Sequence, residues 1–245
     1  LNHDTGEESW LDESLAEASM ILCGYFGDLS SWVPDYADNP NQTLVDNSPT
    51  FHYGAGFLFG GYLLERFGAD YLTALVEKTS RGVDSLEETW TDLGEGVTFR
   101  EVLGDWTAAN WLDEPTLEDG KYGYESFDPP IMSAVGPLSV GETASARILK
   151  PTGVMYYEFN LSGLSQDSTV TITLNTASYE DMEVRVISYS NGDPTTAVVS
   201  SPVLDAQESA MVVDGVGGDI NRVVVGLASL ATENVTLESM VLEAQ

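Results

Sequence analysis

Apolar residues recur at helical spacing in the first part of this chain and alternate with polar ones in the second. Trp10, Leu11, Ser14, Leu15, Ala18, Ile21 and Leu22 fall on one stripe, which predicts a helix over residues 8–26. Ser9 or the acidic residues before it open that helix, and Gly24 or Gly27 ends it. Residues 28–49, rich in Asp, Asn, Ser and Pro, read as a polar loop. A second helix is predicted over 52–67, stopped by Gly68. A third covers 70–79 and a fourth 86–93. A fifth opens at Thr98, with Glu101 in the capping-box position, and continues towards Trp111.

Beyond residue 137 the period changes from helical to alternating. Thr169-Val170-Thr171-Ile172-Thr173-Leu174 is a plain example. Strands are predicted over 154–161, 169–174, 182–189, 197–203, 210–213, 222–227 and 235–242. Ser190-Asn191-Gly192-Asp193 and the glycine-rich stretch 215–219 are turn signals between them. The predicted class is α+β and multidomain: a mainly helical part over 1–133, then an antiparallel β-sandwich, jelly-roll or immunoglobulin-like, over 134–245. Asp128-Pro129-Pro130 and Gly136-Pro137 punctuate the change, and all five Trp precede it.

Composition adds a strong charge bias. Forty Asp and Glu face nine Lys and Arg, for a net charge of -31. The first 133 residues hold 26 acidic and 5 basic side chains, and the remainder 14 and 4. Such a surface repels nucleic acid and anionic membranes, so neither is an expected partner. It suits a chain that stays soluble in high salt, where the Debye length is only a few ångströms. Calcium bound by surface carboxylates is the sharper alternative, but no D-x-[DN]-x-[DN]-G loop occurs. No run of 18 apolar residues exists, so no membrane-inserted segment is expected. The sequence opens at Leu1 with no leader pattern, which reads as a processed or truncated product. Cys23 is the single cysteine, on an apolar stretch, and is expected to be a buried thiol. N-x-[ST] sequons at Asn41, Asn160 and Asn234 fit an extracellular or cell-surface location.

The chemistry-bearing stretch is Trp10-Leu11-Asp12-Glu13-Ser14-Leu15-Ala16-Glu17. It resembles the W-L-x-E-G-x-[AS]-E helix of gluzincin zinc metallopeptidases, a group that includes aminopeptidase-N-like and hyicolysin-like enzymes. The resemblance implies that Glu13 is the third zinc ligand and that Glu17 supports it from behind. It also implies two His ligands and a general base on an HExxH helix upstream. Ser14 departs from the usual Gly. Catalytic zinc takes three protein ligands and leaves a fourth position for water, so one carboxylate from a neighbouring helix completes such a set.

Tyr53-Gly54-Ala55-Gly56 and Tyr62-Leu63-Leu64-Glu65-Arg66-Phe67-Gly68 extend the likeness. In the aminopeptidase-like branch a Y-x-x-G tyrosine donates to the tetrahedral oxyanion, and the resemblance gives that role to Tyr53. His52 is the rival donor or base. The stretch from Phe99 through Trp106, Asn110 and Asp113 is similar to the closing helix of hyicolysin-like enzymes. The likeness covers about residues 7–113.

No HExxH occurs, and His3 and His52 are the only histidines. The general base and two ligands would therefore come from a segment outside this sequence, with the chain's own N-terminal fragment as the expected partner. The expected function is part of a secreted zinc peptidase acting on peptide or protein substrates, inactive as this chain alone. A surface or adhesion module with a decayed peptidase domain is the non-enzymatic alternative.

Overall fold

The computed structural model describes residues 6–25, 32–45 and 53–245. The chain is α+β and divides into two units, residues 1–132 and 133–245. The first holds five helices among its described residues: α1 (Ser9–Leu22), α2 (Trp32–Asp38), α3 (Tyr53–Val76), α4 (Gly82–Leu93) and α5 (Phe99–Leu112). Trp10, Tyr36, Phe59, Tyr62, Tyr71, Trp90 and Trp106 are its large buried side chains. Phe59 stands at the centre, meeting Trp10, Phe99 and Trp106 with ring centroids 6.2, 6.2 and 5.5 Å away. Edge-on and tilted rings of this kind bury much area at small entropic cost.

The helix boundaries follow local chemistry. Gly68 takes φ 84°, ψ 172° and divides α3 into two helical pieces, as its position in the pattern predicts. Thr98 and Glu101 form a full capping box at the start of α5. Gly94 ends α4 in the left-handed conformation. α2 lies inside the stretch read as loop. It is seven residues long and buries only Val33, Tyr36 and Ala37, too few for a period to show. Cys23 is exposed, which corrects its reading as a buried thiol. α1 ends at Leu22, so Cys23 lies past the last turn rather than on the apolar stripe.

The second unit holds eleven strands. A five-stranded sheet runs in the order β1 (Val135–Ser139), β4 (Val154–Asn160), β9 (Arg222–Ser229), β6 (Met182–Ser190), β7 (Asp193–Ser200). A four-stranded sheet runs β2 (Thr143–Ala144), β11 (Ser239–Ala244), β5 (Ser168–Asn175), β8 (Glu208–Val216). β10 (Val235–Leu237) pairs with β3 (Arg147–Leu149). All pairings are antiparallel except β1 with β4. One buried cluster gathers Tyr157, Phe159, Val225 and Leu227 from the first sheet with Ile172, Leu174, Met240 and Leu242 from the second. The run predicted as one strand over 235–242 is two, because Glu238 interrupts it and donates its N–H to the Asn175 carbonyl. β1, β2 and β3 carry too few alternating residues to be recognised from pattern alone.

Candidate metal centre

α1 buries Trp10, Leu11, Ser14, Ala18 and Ile21 against the rest of the helical unit. Its start is fixed by two carboxylates. Glu8 accepts from Trp10 Nε1 at 2.7 Å, and Glu7 accepts from the Gly82 N–H at 2.6 Å, capping α4 from 75 residues away. Ser85 Oγ donates to the same Glu7 at 3.2 Å. The stripe then meets α3 at two glycines. A Cβ on Gly60 would lie 2.1 Å from the Ser14 carbonyl oxygen, and one on Gly61 would lie 2.9 Å from Ile21 Cδ1. A side chain at Gly60 would force the helices apart, whereas one at Gly61 would displace the side chains of Ile21 and Phe127.

Glu13 and Glu17 sit on one flank of this stripe, both half-buried. At 100° per residue they lie on the side of α1 away from Leu15, Ser19 and Leu22. Those three, with Ala69, Leu72, Thr73 and Val76, line an apolar groove of about 320 Å³. The groove is therefore not part of the carboxylate site. Among the described residues neither Glu13 nor Glu17 has a hydrogen bond or a basic partner. Burial first, and the charge of Glu13 second, push the Glu17 carboxyl above its usual pKa. Two like charges one turn apart in partial burial are a destabilising arrangement unless a cation joins them.

Tyr53 is the first residue of α3. Its ring packs on Trp32 at 5.9 Å, and the residue remains 36% exposed. The neighbouring Gly54 allows the close approach of α2: a Cβ there would lie 2.1 Å from the Trp32 carbonyl oxygen. Tyr53 precedes Gly60, the contact point with Ser14, by two turns, about 10 Å along the axis. Glu13 and Tyr53 thus belong to two helices packed on one another, while His52 and His3 lie outside the described residues. Among the described residues no three His, Cys, Asp or Glu side chains converge on a point where a metal would fit. Glu13 is half-buried on α1 and belongs to no such cluster among the described residues.

The later motif residues act as a clamp. Tyr62 donates to the Lys121 carbonyl at 3.1 Å, and Glu65 accepts from the backbone N–H groups of Glu125 and Ser126. Asn110 accepts from the Tyr124 hydroxyl at 2.5 Å, and Asp113 from the Tyr124 N–H at 3.1 Å. Burial and the nearby carboxylates Asp128, Glu65 and Glu114 push the Asp113 carboxyl up to about 6 against that hydrogen bond. The sequence offers the types of Glu65, Asn110 and Asp113 but not their partners, which arrive from residues 121–126. Lys121 also pairs with Asp105 at 3.2 Å, so the segment is held by charge as well.

Comparison with known proteins gives little. No protein-family model matches the chain, and no curated protein does. A mitogen from Yersinia pseudotuberculosis is similar over 42% of this chain and 85% of its own, at 11% identity and TM-score 0.32. A family GH115 4-O-methyl-alpha-glucuronidase specific for decorated arabinogalactans covers 96% of this chain and 33% of its own, at 12% identity and TM-score 0.27. Scores this low establish no shared fold.

Proposed function

We propose that this chain is the part of a gluzincin zinc metallopeptidase that follows the HExxH helix, joined to a β-sandwich accessory module. The observation that carries the reading is the W-L-x-E-x-x-A-E helix, whose two carboxylates are half-buried without a basic partner among the described residues. A metal on that flank would offset their repulsion. In this reading Glu13 is the ligand, and Glu17 stands one turn behind it and sets the local charge.

Zinc, when bound, supplies a water acidic enough to attack a peptide carbonyl. The chain's own residues do the rest of what can be assigned to it. Glu13 brings negative charge to the metal, and Gly60 lets α3 approach α1 closely enough to share a site with it. Tyr53 donates from the start of α3 to the oxyanion that develops on the substrate, with His52 as the rival donor. A phenol so placed acts mainly in the transition state. The two imidazole ligands and the general base come from a segment outside this sequence, so the chain alone is not a peptidase. The cluster shared by the two sheets supports the sandwich reading of the second unit. The acidic surface and the sequons support an extracellular or cell-surface location.

The test is made on the longest natural polypeptide that contains this sequence. Glu13→Ala is expected to lose bound zinc and peptidase turnover by at least about a hundredfold with unchanged circular dichroism. Unchanged zinc content and turnover removes the assignment. An upstream sequence without HExxH favours the decayed, non-enzymatic module instead.

A further inference from the structure

Three sequons occur in the sequence, which by itself gives no reason to rank them. The structure ranks them. Asn41, Gln42 and Thr43 are all half-buried, and Leu44 beside them is fully buried. The Gln42 N–H is also tied to the Pro40 carbonyl. The other two sequons are built differently. Asn160 is exposed where β4 ends, Leu161 is fully buried, and Ser162 is exposed again. The Asn160 side-chain oxygen accepts from the Ser162 N–H at 2.9 Å, an Asx-type turn that holds the two residues together. Asn234 is exposed just before β10, Val235 is buried against the β-unit core, and Thr236 is exposed. Alternation along an extended segment puts Asn234 and Thr236 on the same outer side. Thr236 is fixed through its carbonyl, which accepts from Thr176, so its hydroxyl stays available.

We propose that Asn160 and Asn234 are N-glycosylation acceptors and that Asn41 is not. Transfer requires the Asn amide nitrogen and the hydroxyl two residues on to be presented together to an enzyme, and in both sequons the middle residue is buried while its neighbours face water. In the transfer step the amide nitrogen attacks the anomeric carbon of a lipid-phosphate-linked oligosaccharide. The C–N bond forms as the bond to the phosphate oxygen breaks, the lipid phosphate leaves, and a base of the transferase takes the amide proton. Both acceptors lie in the β-rich unit, at opposite ends of β9. Asn160 pairs with Arg222 at its start, and Asn234 follows Ser229 at its finish by five residues. The proposal rests on the extracellular reading, because the glycan donor is met on export.

The test exports the full chain behind a secretion leader from a cell that N-glycosylates. Protein from the medium is treated with peptide N-glycosidase in heavy-oxygen water, which converts each glycosylated Asn to labelled Asp, and is mapped by mass spectrometry. Label is expected at 160 and 234 and not at 41. Thr236→Ala is expected to remove the label at 234 and Thr236→Ser to keep it; Ser162→Ala and Ser162→Thr should behave likewise at 160. Exported protein unlabelled at both positions, or labelled at 41 in their place, overturns the acceptor assignment and leaves the extracellular reading standing. Retention of the native protein inside its own cells overturns both.

Discussion

Single residues decide the helical unit at three places. Gly60 is the contact of α3 with the Ser14 carbonyl, so Gly60→Ala must move one helix. The expected cost is about 1–3 kcal/mol, read as a lower urea midpoint with unchanged m. A midpoint equal to wild type would show that α1 and α3 are not held at that distance. Asp113 is the second. Its carboxyl titrates at about 6 when folded, above the usual 3.8, so folding binds a proton between those values. Stability from this group is therefore present at low pH and lost as pH rises through about 6. Asp113→Asn keeps an acceptor for the Tyr124 N–H and suits the left-handed backbone at φ 44°. It should match wild type at pH 4 and exceed it by about 1 kcal/mol at pH 8, a figure already reduced for solvent screening. Thermal melts at the two pH values check this, and a variant less stable at pH 8 contradicts it. Glu17 is the third. Glu17→Gln should stabilise the metal-free chain by about 0.2–0.5 kcal/mol by ending its repulsion with Glu13. A destabilised variant would mean that Glu17 has a cationic partner.

Between elements, the long-range caps matter more than propensity. α4 begins at Gly82, four residues earlier than its apolar pattern suggests, because Glu7 supplies an acceptor for its first N–H. Glu7→Ala should cost about 1–2 kcal/mol and raise amide exchange in the first turn of α4, with α5 unaffected. Equal protection in that turn would show that the cap is redundant. The start of α5 was legible because Thr98 and Glu101 are three residues apart and both partners are local. The start of α4 was not, because its acceptor lies 75 residues away.

For the whole molecule, the net charge of -31 sets the conditions under which the fold holds. Carboxylates repel across distances shorter than the Debye length of about 10 Å at 0.1 M salt, and much less at 1 M, where it is about 3 Å. The melting temperature should therefore rise with sodium or potassium chloride from about 0.05 M and level off near 1 M, to the same degree for both cations. A melting temperature that falls with salt contradicts this. A rise produced by millimolar calcium alone points to specific carboxylate sites.

The sequence by itself determined the α+β class, the change from helical to alternating pattern, the helix break at Gly68, and which helix carries Glu13 and Glu17. Each of these depends on residues within a few positions of one another, where periodicity and backbone preference act directly. Tertiary structure decided that Cys23 is exposed, that residues 121–126 are clamped by Tyr62, Glu65 and Asn110, that the last strand run is two strands, and which sequons face water. Those outcomes depend on what approaches from a distant part of the chain. Burial and hydrogen-bond partners across such separations leave no period in the sequence.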